Sequence, residues 1–216
     1  MSYDEHDAAM DEFYDQMDKE LYPEHREQAI SEFTEERLRS FYIKSSFVMR
    51  PAVDSLQLGK TLLHLEQETP ALVFFVSAIE LLLKSALLKP VVYGLVHHEP
   101  MADIIVKYAL GQSGFARYEG LLSDLFWNLA KINIKDIKRE RSVQRLLDEC
   151  KKLQDVRNNI IHKGDTCSKP DAVMAMEVSV AVFDLIVRPM LHSLGLTVIE
   201  RGEIVPVQPS GVANRR

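Results

Sequence analysis

This chain is poor in the features that announce most enzyme classes. Its 216 residues include two cysteines, Cys150 and Cys167, which form neither a disulfide framework nor the paired spacing of a zinc site and fit a reducing compartment. The nine glycines build no phosphate-cradling loop, and there is no serine or cysteine triad signature and no internal repeat. His97, His98 and Glu99 are the one cluster that suggests a metal. Adjacent histidines point to different sides of any regular element and no further ligand spacing follows, so neither metal nor cofactor is expected. The first twenty residues are acidic rather than basic and then apolar. No signal peptide is expected there, and the expected address is the cytoplasm.

What is present suits a globular protein: 46% of residues are apolar and 27% charged, enough to bury a core in one main domain with appendages. The net charge of -6 is unevenly spread. Residues 1–36 carry thirteen acidic side chains against Lys19 and Arg26, which leaves 24 basic against 19 acidic groups in residues 37–216. Much of that excess lies in Lys131, Lys135, Lys138, Arg139, Arg141, Arg145, Lys151 and Lys152, partly offset by Asp136, Glu140, Asp148 and Glu149. A polyanion would suit such a stretch, although mixed charge runs are more often solvated helix faces.

Apolar periodicity divides the chain into an acidic, loosely held leader over 1–22, a helical bundle over 23–195, a short hairpin over 196–208 and a disordered tail over 209–216. The expected fold is all-α, an up-and-down bundle. Its helices are expected from Pro23 to about Lys44, with Ile30, Phe33, Leu38, Phe41 and Tyr42 inward; from about Ala52 to Gln67, after an interruption at Pro51; and across 71–89, stopped by Pro90. A helix opened by Pro100 ends at Gly111 with Met101, Ile104, Ile105 and Tyr108 inward, before a turn-rich loop over 111–114. Leu121, Leu122, Leu125, Phe126 and Leu129 mark another helix, a basic linker covers 132–141, and long helices run from about Ser142 and from about Asp171 to Leu194, the last kinked at Pro189. The hairpin turns at Arg201-Gly202.

The 71–89 stretch is apolar enough to invite a membrane-span reading, but Glu80 and Lys84 near its middle would be costly in hydrocarbon, so it reads as the bundle's central helix. Ser77, Glu80 and Lys84 share one narrow face. Two readings stand open: a solvent edge with a Glu80–Lys84 pair, or a polar strip aimed at another helix.

The stretch Asp155 to Gly164 (DVRNNIIHKG) closes the helix that follows the basic linker. Leu146, Cys150, Leu153, Val156 and Ile160 form its apolar stripe, and Arg157 falls roughly 40° from Leu153 and 60° from Ile160 on a helical wheel. A guanidinium there cannot lose its proton, so it needs a carboxylate, hydrogen-bonding neighbours or an anionic ligand. His162 would point roughly 140° away on a continuing helix. Lys163-Gly164 is expected to end the helix and let the imidazole swing back. The bland alternative is a structural arginine and a histidine that merely complements the helix dipole.

Arg157-Asn158-Asn159-Ile160-Ile161-His162, together with the upstream stretch 78–88 (AIELLLKSALL), resembles the HEPN superfamily of helical nucleotide-binding domains, over roughly residues 50–194. The acidic leader, basic linker and hairpin fall outside the common pattern. The resemblance implies a HEPN-like bundle, commonly dimeric, that acts as a metal-independent endoribonuclease in toxin–antitoxin, phage-defence or RNA-processing settings. Some members have lost catalysis and bind nucleotide, RNA or protein. It implies catalytic roles for Arg157, His162 and Asn158, with Glu80 orienting Arg157. The flanking Lys84, Lys138, Arg139, Arg141, Arg145 and Lys163 are expected to hold RNA, and an antitoxin or other regulatory partner is an expected companion.

Overall fold

In the computed structural model, the residues described are 10, 14, 16, 28–29, 32–96, 98–107 and 119–207. Most of the leader, together with the 111–114 loop, Ile30, His97, Tyr108 and the tail, lies outside them. Helices dominate, with one two-stranded antiparallel sheet near the C-terminal end.

Helix α1 spans 32–44. It buries Leu38 and Tyr42 completely, but Phe33, expected inward, is exposed. Helix α2 is Arg50–His64, and Pro51 opens it rather than interrupting the chain. Proline suits a first turn, where its missing N–H has no intrahelical partner to lose.

The central helix runs from α3 (Glu68–Glu80) through a π-helical segment, Leu81–Leu88, into α4 (Lys89–Leu95). Pro90 therefore does not stop it. A proline in a helix removes one N–H and crowds the carbonyl four residues back, here that of Ala86. The wider π turn relieves the crowding, and the Ala86 oxygen accepts a 2.7 Å hydrogen bond from the buried Tyr42 hydroxyl. Burial pushes that phenol's pKa far up, so it stays a donor. The last long helix repeats the device: α8 (Lys169–Val182) becomes π-helical over Phe183–Val187 just before Pro189, then continues as α9 (Arg188–Ser193). The two π segments pack against each other. The stretch Glu68–Gly94 is long and apolar enough to cross a membrane, but it forms the bundle's core helix here, with Leu72, Phe75, Ile79, Leu83 and Leu87 all buried.

Helix α5 is Glu99–Ile105. It turns Ala102 inward and leaves Met101 and Ile104, expected inside, exposed. Helix α6 (Glu119–Ala130) buries Leu122 and Phe126 and exposes Leu121 and Trp127. Residues 131–145 are irregular but anchored, with Ile134 buried and the Leu146 N–H donating to the Ile137 carbonyl at 2.8 Å. Helix α7 is Leu146–Lys163, starting four residues later than expected.

Strands β1 (Leu196–Val198) and β2 (Ile204–Pro206) pair with Val198 opposite Ile204, and the turn between them contains Arg201 and Gly202, both at positive φ. The hairpin is tied back to the start of the bundle: the Ile204 N–H donates to the Ser46 carbonyl at 2.9 Å.

Candidate functional site

Helices α3 and α7 lie against each other in antiparallel register, fixed by two hydrogen bonds. At one end Gln154 Nε2 donates to Glu80 Oε1 at 2.9 Å, and at the other the Cys167 N–H donates to Thr69 Oγ1 at 3.2 Å. Three residues from the first bond toward the second stand Arg157 on α7 and Ser77 on α3, which puts them at about the same height along the paired helices. Of the polar strip on the central helix, Glu80 thus faces α7. Its partner is not the expected one: Glu80 accepts from Gln154 and forms no ion pair with Arg157 or Lys84.

Arg157 is half-buried, and its Nη1 donates to Asn158 Oδ1 at 3.2 Å. Among the described residues its Nε is the only buried side-chain nitrogen or oxygen that meets no hydrogen-bond partner, and the guanidinium has no carboxylate within ion-pair distance. Burying a fixed charge while leaving one donor unmet costs free energy that an anion at this position would recover. A phosphodiester offers oxygen acceptors of matching geometry.

Helix α7 ends at Gly164, whose φ of 75° closes the last turn through a hydrogen bond from its N–H to the Ile160 carbonyl. His162 remains inside the helix and exposed. The expected swing back toward Arg157 does not occur, because the left-handed residue comes two positions after the histidine. Within one copy of the chain, Asn158 is brought to Arg157 and His162 is not. Together with Lys163, His162 sits in the last turn, where a cation is favoured by the helix dipole.

The basic residues divide into two groups. Arg139 is committed to structure. Its Nε and Nη2 bond both oxygens of the buried Glu149 at 2.8 and 2.9 Å, and its Nη1 reaches Glu177 at 2.7 Å. Ser142 Oγ adds a fourth contact, to Glu149 at 2.8 Å. Burial alone would raise the Glu149 pKa, but the hydrogen bonds from Arg139 and Ser142 outweigh it and hold the carboxyl below its ordinary value. The same pairing raises Arg139. Arg145 pairs with Asp148 at 2.6 Å, Lys151 with Glu119, and Lys152 donates to Gln144 at 2.8 Å. Much of the excess positive charge counted in the sequence is therefore neutralised locally. Lys138, Arg141 and Lys163 are exposed, and Lys84 is half-buried in the π-helical segment.

The Glu149 cluster is what sequence reading missed. The signal was there: Glu149 falls beside Cys150 in the apolar stripe between Leu146 and Leu153, where an acid must find a partner.

Of the two cysteines, Cys150 is buried and Cys167 half-buried, and burial raises both thiols above their ordinary value. No family model matches this chain, and neither a curated protein nor a solved structure does.

Proposed function

We propose that the chain is a metal-independent endoribonuclease of the HEPN type, in which the Arg157 face of α7 binds the scissile phosphodiester. The observation that carries this reading is the Arg157 guanidinium itself, half-buried, with no carboxylate partner and an unmet Nε among the described residues. Asn158 holds one of its nitrogens and orients the group.

The chemistry needs no group foreign to the chain. The 2'-hydroxyl gives its proton to a neutral histidine and its oxygen bonds to phosphorus. The bond from phosphorus to the 5'-oxygen breaks, and that oxygen takes a proton from a second, protonated histidine. Arg157 stabilises the negative charge that builds on the phosphorane oxygens. The products are a 2',3'-cyclic phosphate and a 5'-hydroxyl. A single His162 cannot be base and acid at once, and in one copy it stands apart from Arg157. The proposal therefore requires two copies related by a two-fold axis, each supplying Arg157 and His162 to one cleft.

The exposed His162, whose side chain makes no hydrogen bond among the described residues, also favours a second reading: a catalytically silent module whose Arg157 face binds the phosphate of a nucleotide or RNA, or an acidic protein surface. The experiment that separates them incubates the purified chain with RNA in chelator and maps the ends formed. The nuclease reading expects cyclic phosphate and 5'-hydroxyl ends, with cleavage reduced about 10²- to 10⁴-fold in His162→Ala and in Arg157→Ala while helicity is kept. RNA binding without cleavage, lost in Arg157→Ala but not in His162→Ala, supports the silent module. Full cleavage by both variants removes the nuclease site from this face.

A further inference from the structure

A second place gathers positive charge, well away from Arg157. From Ser77, at the height of Arg157, to Lys89 near the far end of the central helix is twelve residues, roughly 18 Å at helical rise. There α1, the turn over 45–49 and the end of the central helix enclose a cleft of about 750 Å³, within the range of small-molecule sites. Arg37 and Lys44 line it from α1 and Lys89 from the central helix; among the described residues of the lining the one carboxylate is Asp103, which accepts a 2.5 Å hydrogen bond from the Tyr93 hydroxyl. The same wall carries flat apolar surface. Phe41 and Tyr93 stack with ring centres 5.7 Å apart and planes 11° from parallel, and Phe47, on the turn, is half-exposed.

These walls are held by the fold rather than by chance rotamers. Arg37 Nε donates to the Gly94 carbonyl at 2.7 Å, and Gly94 lets α1 approach so closely that a Cβ there would stand 2.7 Å from Leu38 Cδ2. The Tyr42–Ala86 bond fixes α1 to the central helix, and the hairpin's bond to Ser46 fixes the turn. Two lysines on one side and aromatic faces on the other match a ligand with a polyanionic end and a planar end. An inorganic phosphate would fill a small part of the space and leave the rings unused.

We propose that this cleft binds a nucleoside polyphosphate, its phosphates held by Lys44 and Lys89 and its base lying against the Phe41–Tyr93 pair. The site is independent of the RNA-cleavage reading and stands or falls without it.

Calorimetric titration of the full chain with ATP, GTP, inorganic tripolyphosphate and adenosine tests the proposal. The expected result is saturable binding of at least one nucleotide below about 1 mM, weakened roughly tenfold when the base is absent, as in tripolyphosphate. Charge reversal at the exposed Lys44, by Lys44→Glu, and Lys89→Glu each weaken binding at least about tenfold. Circular dichroism of each variant checks that the helices persist, and the milder Lys44→Gln with Lys89→Gln replaces any that unfolds. Failure of both nucleotides to bind overturns the proposal. So does tripolyphosphate binding as tightly as they do, or nucleotide binding that survives the lysine variants and disappears with Arg157→Ala.

Discussion

Arg139 and Arg157 are two guanidinium groups in one small fold, and the molecule treats them in opposite ways. Arg139 spends all three nitrogens on carboxylate oxygens, two from Glu149 and one from Glu177. Arg157 has one neutral amide oxygen at 3.2 Å and a buried Nε without an acceptor among the described residues. Both groups carry the same fixed charge and both are removed in part from water. The lesson is that burial of an arginine says little by itself; its partners decide whether it holds the fold together or is kept ready for something outside it.

The largest effect is expected from breaking the satisfied member. Glu149→Ala leaves Arg139 facing Glu177 alone beside the buried start of α7, and removing one partner of a buried ion pair costs about 3–5 kcal/mol. Urea unfolding measures it. A loss below about 1 kcal/mol would show that Arg139 is as loosely engaged as Arg157 and erase the contrast.

Acid provides a graded version of the same test. Glu149 has a folded-state pKa below its unfolded value, so its contribution is fully present above the ordinary carboxylate range and is lost as pH falls below that range through the depressed folded value. Glu149→Gln should flatten the stability profile across that acidic window, while Arg157→Met leaves its shape unchanged. A profile equally steep in Glu149→Gln would assign the acid sensitivity to other carboxylates.

How far these roles could be read in advance depended on whether the deciding contact was local. The end of α7 at Gly164 and the hairpin turn at Arg201-Gly202 were legible because each rests on backbone torsion that a glycine makes easy. Pro90 misled, and Pro189 sits in the same kind of setting. A proline ordinarily breaks a helix, and what rescues it here is a widened turn, with Tyr42, 44 residues away from Ala86, also supplying a donor in the first case. Arg139 could not be separated from an RNA-binding surface because Glu177 lies 38 residues further on. The Arg157–Asn158 contact was readable because the two are neighbours. The distance between Arg157 and His162 was readable too, from helical phase, and the error was to let Gly164 undo it when it acts only beyond Lys163.

A smaller effect is expected at that helix end. Gly164 adopts φ 75° with open space around its Cα, so Gly164→Ala meets no clash and bears only the strain of the left-handed backbone, about 1 kcal/mol. Thermal unfolding should detect it. If RNA cleavage is present, this variant should reduce it by disturbing the turn that carries His162, which gives the unsatisfied arginine's helix a role in activity that the satisfied cluster does not share. Cleavage unaffected by Gly164→Ala would separate His162's setting from the reaction.

The smallest expected change in stability is the most informative. Arg157→Met keeps a long apolar stem on the helix face it shares with Leu153 and Ile160 and removes the charge together with the unmet Nε. Replacing a partly buried charge that lacks a counter-ion is expected to leave stability within about 1 kcal/mol of the parent, or to raise it, because only one neutral hydrogen bond is lost while a desolvation cost disappears. Denaturant unfolding of this variant beside Arg139→Met makes the comparison direct: the same chemical change should cost several kcal/mol at one site and almost nothing at the other. If Arg157→Met destabilises the chain as much as Arg139→Met, the guanidinium is a structural strut. If it does not, the group stands where the fold gains nothing from it, and phosphate binding is the use that its geometry suits.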